Sequence, residues 1–100
     1  MEELEKSLLI NELFDIYGCL LSSTQQKMID LYYTKDLSLS EISSQENVSR
    51  NAVFYALKKG VESLNKYEEK LKILSKLESL KNKVDEKTYY EILKIFKEDN

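Results

Sequence analysis

Six side chains packed into one short stretch carry the chemistry of this sequence: Arg50, Asn51, Phe54, Tyr55, Lys58 and Lys59. They are of the types that recognise nucleic acid. Arginine can give guanine a bidentate pair of hydrogen bonds, and asparagine can do the same for adenine. Phe54 can lie on a thymine methyl, and Tyr55 can reach a phosphate or a base edge. Lys58 and Lys59 suit the phosphate backbone, which positions a protein without reading sequence. Ser49, just ahead of the set, adds a hydroxyl for a phosphate. A recognition helix presents its N-terminal residues to the bases. Arg50 and Asn51 are therefore the first candidates for direct readout.

Such a set works only if one helix holds it outward and another braces that helix. The stretch SLSEISSQENVSRNAVFYALKKGVESL, Ser38 to Leu64, has the signals for both. Ser38 and Glu41 have the spacing of a capping box, which predicts a helix from about Leu39 to Glu46. Leu39 and Ile42 mark its apolar face. Asn47 tolerates the left-handed conformation that stops a helix and turns the chain. Val48 is expected to plug the corner. Ser49 is a ready N-cap for a second helix. In that helix Val53, Leu57, Val61 and Leu64 recur at helical spacing and mark the buried side. The nucleic-acid set lies opposite.

The pattern EISSQENVSRNAV resembles the helix-turn-helix of region four of bacterial sigma factors. The upstream run LFDIYGCLLSSTQQKMIDLYYTKDLSL and the downstream run NKYEEKLKILSKL closely resemble the YlxM family, small bacterial proteins encoded beside signal recognition particle genes. The resemblance runs from about Asn11 to Leu80. It implies an all-helical fold with a sigma-like DNA-binding motif, a long helix after it, and a regulatory link to protein secretion. The sequence departs from the usual motif in places. Ser43 stands where a small Ala is common, and Asn47 where Gly is common. Glu46 stands where an apolar residue usually closes the small core between the two helices. A carboxylate is not buried there without a partner, so Glu46 must either swing out to solvent or find a lysine.

The 100 residues make one domain, with the helix-turn-helix at about 38–60 and a helical extension at about 61–100. Prolines are absent and glycines number two, so nothing forbids long helices, and Leu, Glu and Lys favour them. Charges interrupt every apolar run, so no membrane span is expected. The start, MEELEKS, lacks the order of a signal peptide, which points to the cytoplasm. Cys19 has no partner for an internal disulfide. It reads as a small apolar helix residue rather than a reactive thiol, since no cationic cluster is near in sequence to activate it. With no histidine, Ser-His and Cys-His catalysis and histidine metal sites are removed. Glycine-rich phosphate loops are absent too. The expectation is no catalytic residue, no cofactor and no metal.

A net charge of −3 argues against a strongly basic surface, but its distribution matters. The segment up to Thr24 carries −4, Gln25 to Gly60 carries +1, and the rest is neutral. The motif is the net-positive part. DNA affinity depends on neutralising phosphates and falls with salt. Non-specific binding should therefore be weak, with useful affinity requiring a cognate site or a dimer.

Ahead of the motif, a first helix is expected from about Glu3 to Leu20 or Leu21, with Leu9, Leu13, Ile16, Tyr17 and Leu20 as its stripe. Glu2, Glu3 and Glu5 suit its positive end. Gly18 allows a close neighbour. Ser23 and Gln26 outline a capping box for a second helix over about Thr24 to Thr34. Met28, Ile29, Leu31, Tyr32 and Tyr33 make that helix apolar over a wide arc. Lys27 and Lys35 read as ordinary surface lysines, although both could reach phosphates. Beyond Arg50 no stop signal appears, which predicts one helix to about Lys83. Leu57, Leu64 and Leu71 repeat every seven residues, as do Val53, Gly60, Tyr67 and Leu74. This is a coiled-coil-like seam with a hole at Gly60, and it points to a homodimer formed through the long helix, the alternative being that the same stripe packs on the chain's own first helix. Asp85 should cap a last helix from Glu86 to about Lys97, with Tyr89, Ile92, Leu93 and Phe96 as its apolar face.

The function these features favour is a small DNA-binding regulator whose second motif helix enters the major groove of double-stranded DNA. A second reading is a protein interaction module, with Phe54 and Tyr55 as exposed anchors. The family's gene neighbourhood alone suggests a third, binding of signal recognition particle RNA. The deep, narrow groove of A-form RNA does not admit a recognition helix.

Overall fold

A computed structural model of the chain describes residues 2–98, with side chains described from residue 4 to residue 96. The side chains of Glu2, Glu3 and Lys97 lie outside the described residues. What is described is all-helical. Helix α1 spans Glu2–Tyr17 and ends in a 3-10 turn, Gly18–Leu20. Helix α2 spans Ser23–Ile29 and runs on into a π turn, Asp30–Thr34. Then come α3 (Leu39–Glu46), α4 (Arg50–Leu71), α5 (Ile73–Lys81) and α6 (Glu86–Glu98). Both glycines lie inside helical turns and proline is absent, so the corners need other residues. Asp36, Asn47 and Lys72 take them, with φ of 58°, 57° and 55°.

The core forms where α1, α2 and α4 meet. Ile10, Leu13 and Tyr17 line the inner side of α1 and are buried, whereas Leu9 and Leu20 are exposed. The expected stripe is thus centred one position off, because the helix turns Ile10 rather than Leu9 toward α4. The capping box of α2 is likewise one residue earlier than predicted. Ser22 Oγ accepts the Gln25 amide at 3.2 Å, and Gln25 Oε1 accepts the Ser22 amide at 3.3 Å. Gln26 instead donates its side-chain amide to the Leu21 carbonyl at 3.0 Å, bracing the preceding turn.

Helix α2 crosses α4 at Gly60. A Cβ on Gly60 would lie 2.6 Å from Ile29 Cδ1. The hole foreseen in the seam is therefore filled by Ile29 of the same chain. Val53, Leu57 and Leu64, at 0, 6 and 0% exposure, face this core. The seam expected to meet a second copy is consumed internally, because α1 and α2 together cover this side of α4. Of the seam residues, Leu71 stays exposed.

Nor is there one long helix to Lys83. Helix α4 stops at Leu71, which is 45% exposed, and Lys72 turns the chain into α5. The start of α5 is fastened by groups far away in sequence. The Tyr17 hydroxyl donates to Glu68 Oε1 at 2.7 Å and accepts the Ile73 amide at 3.0 Å. The Glu68 carboxylate also accepts the Leu74 amide at 3.0 Å and the Ser75 amide at 3.1 Å. Three first-turn amides of α5 thus find acceptors, and a carboxylate sits at its positive end. Burial first, and then the hydrogen bond to Glu68, push the Tyr17 phenol up to about 12. The bend returns Leu74 and Leu77 to the core. Helix α6 starts at Glu86 as predicted and buries Tyr89, with Ile92 and Leu93 half-buried. No described helix is long and apolar enough to cross a membrane.

Candidate nucleic-acid interface

The motif is built by local chemistry. Ser38 Oγ accepts the Glu41 amide at 3.1 Å, and Glu41 Oε1 accepts the Ser38 amide at 3.0 Å. That backbone hydrogen bond holds the Glu41 carboxyl below its ordinary value. Helix α3 buries Ile42 against α4 and ends at Asn47 in the left-handed region, φ 57° and ψ 46°. The Asn47 and Val48 amides return to the Ser43 carbonyl. Val48 itself is 39% exposed. It does not plug the corner, because the turn points its side chain outward and leaves Ile42 and Val53 to fill the inside.

Glu46 finds a lysine. Its carboxylate lies 2.6 Å from Lys27 Nζ, and that hydrogen bond holds its carboxyl below the ordinary range. The pair ties α2 to α3. Lys27 is therefore engaged within the fold, and Lys35 stands 3.4 Å from Asp30.

Helix α4 opens at Ser49, whose Oγ accepts the Ala52 amide at 3.0 Å. The hydroxyl proton of Ser49 remains available to a phosphate. Arg50 and Asn51 occupy the first turn and are exposed. Phe54 and Tyr55 are 57% and 62% exposed, a large display for aromatic rings. Lys58 and Lys59 follow one turn on, also exposed. The structure therefore brings all seven sequence-derived candidates onto the outer side and flank of one helix. It separates the two lysines, however. Lys59 lies 3.6 Å from Glu62 and 5.6 Å from the centre of the Tyr55 ring. Lys58 has no ion pair among the described residues, so it is the freer of the two for a phosphate.

The sequence reading passed over Ala52. It is exposed in the same first turn, where its methyl group suits a thymine and its small size lets a backbone approach closely. The signal available was its placement between Asn51 and Tyr55. Among the described residues no group of three or more Cys, Asp or Glu side chains could hold a metal ion.

A search against family models matches residues 4–98 to UPF0122, described as "Putative helix-turn-helix protein, YlxM / p13 like". Among curated relatives, a UPF0122 protein of Desulforamulus reducens is 51% identical over 76% of this chain and 62% of its own length. UPF0122 protein BH2485 of Halalkalibacterium halodurans is 47% identical over 75% of this chain and 69% of its own. UPF0122 protein YlxM of Bacillus subtilis is 45% identical over 78% and 71%. The chain thus spans less than two thirds of the first of these relatives and somewhat more of the other two.

Proposed function

The chain belongs to the UPF0122 family, and from that premise we propose that it is a DNA-binding regulator that inserts the N-terminal half of α4 into the major groove. One observation carries the reading. A capped helix-turn-helix holds Arg50, Asn51, Ala52 and Tyr55 exposed on the first turns of a helix whose opposite side is locked into the core. In this reading Arg50 and Asn51 take base edges, Ala52, Phe54 and Tyr55 add contacts, and Ser49, Lys58 and Lys59 take phosphates. The gene neighbourhood of the family makes promoters of secretion genes the first sites to try.

One chain offers one recognition helix and so covers one half-site. Two copies paired through a surface other than the internal seam would read half-sites about 34 Å apart or a multiple of that.

The test is enrichment of genomic DNA fragments on the purified protein at near-physiological salt, with Arg50→Ala in parallel. The expected result is a recurrent sequence recovered by the wild type and lost by the variant, a change of about 1–3 kcal/mol in site affinity. Lys58→Ala should weaken all DNA alike and flatten the salt slope by about one unit. Specific binding that survives Arg50→Ala would overturn the assignment of the reading residues.

A further inference from the structure

On α1 the buried stripe Tyr17, Leu13, Ile10 stops there, and the position one turn earlier on the same face is Lys6, which is exposed. A lysine at a core-facing position cannot close a core, and there the molecule opens into a groove of about 460 Å³. Its floor is Leu57 and Val61 of α4, and its walls are Tyr32 and Phe54. Lys6 of α1 and Lys58 of α4 line it as well. Neither lysine has an ion pair among the described residues. The acid on the lining, Glu62, is already paired with Lys59 at 3.6 Å. The groove therefore presents apolar and aromatic surface together with two lysines that have no ion pair among the described residues.

Small-molecule sites bury most of their ligand. This groove is open to solvent, with Tyr32 and Phe54 both counted among the exposed side chains. An elongated occupant that lays apolar anchors along Leu57 and Val61 and carboxylates against Lys6 and Lys58 fits it better. We propose that the groove is a docking site for an acidic amphipathic helix of a partner protein, and that this partner excludes DNA. Charge complementarity selects the acidic flank, because complementary charges steer and orient such encounters. Apolar residues at helical spacing supply the anchors. Exclusivity follows from two residues used twice, since Phe54 and Lys58 belong both to the groove and to the DNA-reading helix. That second half rests on the DNA reading above, whereas the docking itself does not.

The test uses the full chain as bait for a displayed library of helical peptides. Apolar positions are fixed at i, i+3, i+4 and i+7, and the flanks are randomised among acidic, basic and neutral residues. The recovered peptides are then measured by fluorescence anisotropy. Acid-flanked peptides are expected to be enriched. Lys6→Glu should weaken them at least about tenfold while leaving DNA binding unchanged, and Arg50→Ala should do the reverse. The peptide should displace mixed genomic duplex bound at low salt. No enrichment, enrichment of basic or neutral flanks, or indifference to Lys6→Glu overturns the docking site. Self-association in sedimentation that Lys6→Glu abolishes would assign the groove to a second copy and overturn it as well. Peptide and DNA bound together would overturn the exclusivity. A chain that binds the peptide but no DNA would sink the DNA reading and leave the groove standing.

Discussion

Two corners of this molecule use the same backbone device and are held by opposite means. Asn47 and Lys72 both end a helix in the left-handed region, at φ of 57° and 55°. Around Asn47 the hydrogen-bonded caps are local, and the one longer reach is the Glu46–Lys27 ion pair at 2.6 Å. The Ser38–Glu41 box and the Ser49 cap each span three residues. Around Lys72 the decisive groups come from afar. The Tyr17 hydroxyl reaches Glu68 across 51 residues and Ile73 across 56. The first corner is written into its own neighbourhood. The second exists only once α1 has packed on α4.

The strongest way to break this comparison is Glu68→Ala. It removes the carboxylate that serves the Leu74 and Ser75 amides and the Tyr17 hydroxyl at once. Hydrogen bonds to charged groups are worth about 1.5–3 kcal/mol, and amides left unsatisfied add to the loss. A drop of about 2–3 kcal/mol in urea unfolding is expected, with amide protection lost in α5 and α6 before α3. Uniform loss across all helices would show that the Lys72 corner is not separately fastened.

Titration should part the corners by pH. The Tyr17 phenol is raised from 10.0 to about 12, so its contribution is complete below pH 10 and disappears as pH rises through the folded value. Glu41 and Glu46 are lowered from 4.5. Their contribution is present above that value and disappears as pH falls through the lowered ones. Alkali should therefore loosen α5, and acid should loosen α3. A spectrophotometric tyrosine titration compared with Tyr17→Phe identifies the late-ionising ring, and helix-resolved NMR at pH 3 and 7 reads the other side. Loosening of α3 and α5 together at either extreme would erase the distinction.

The smallest effect sharpens the comparison most. A lysine in the left-handed region is strained by about 1–2 kcal/mol, whereas asparagine visits it routinely. Lys72→Gly should stabilise the fold by about 1 kcal/mol, and Asn47→Gly by only roughly 0.3 kcal/mol. Equal gains in thermal unfolding would mean that side-chain type is irrelevant at these corners.

The same contrast explains what could be read in the chain beforehand. The bounds of α3, the turn at Asn47, the Ser49 cap and the outward set from Arg50 to Lys59 were legible, because a few neighbouring residues determine each of them. The end of α4 was not. Leu71, Lys72 and Ile73 contain no breaker, and the heptad rhythm continues through them. What stops the helix is a tyrosine hydroxyl that arrives from α1. The inward use of the seam was illegible for a related reason. Periodicity says that Val53, Leu57 and Leu64 are buried but not which chain buries them. The one-residue slip at Ser22 arises because Ser22, Ser23 and Thr24 are all good N-cap residues. The freer state of Lys58 needed the positions of Glu62 and Tyr55.

The close crossing at Gly60 has a consequence for anyone who would rewire this protein. A glycine there costs α4 about 1 kcal/mol of helix propensity, and in exchange Ile29 reaches the helix backbone. That contact works as a gauge block. It fixes how far α4 stands from its support, while Asn51, Ala52 and Tyr55 on the far side touch nothing that sets that distance. Standoff and vocabulary are thus specified by separate residues. If α4 reads DNA as proposed, that outer face could be rewritten for a new target without recalibrating the scaffold, so long as position 60 stays a glycine.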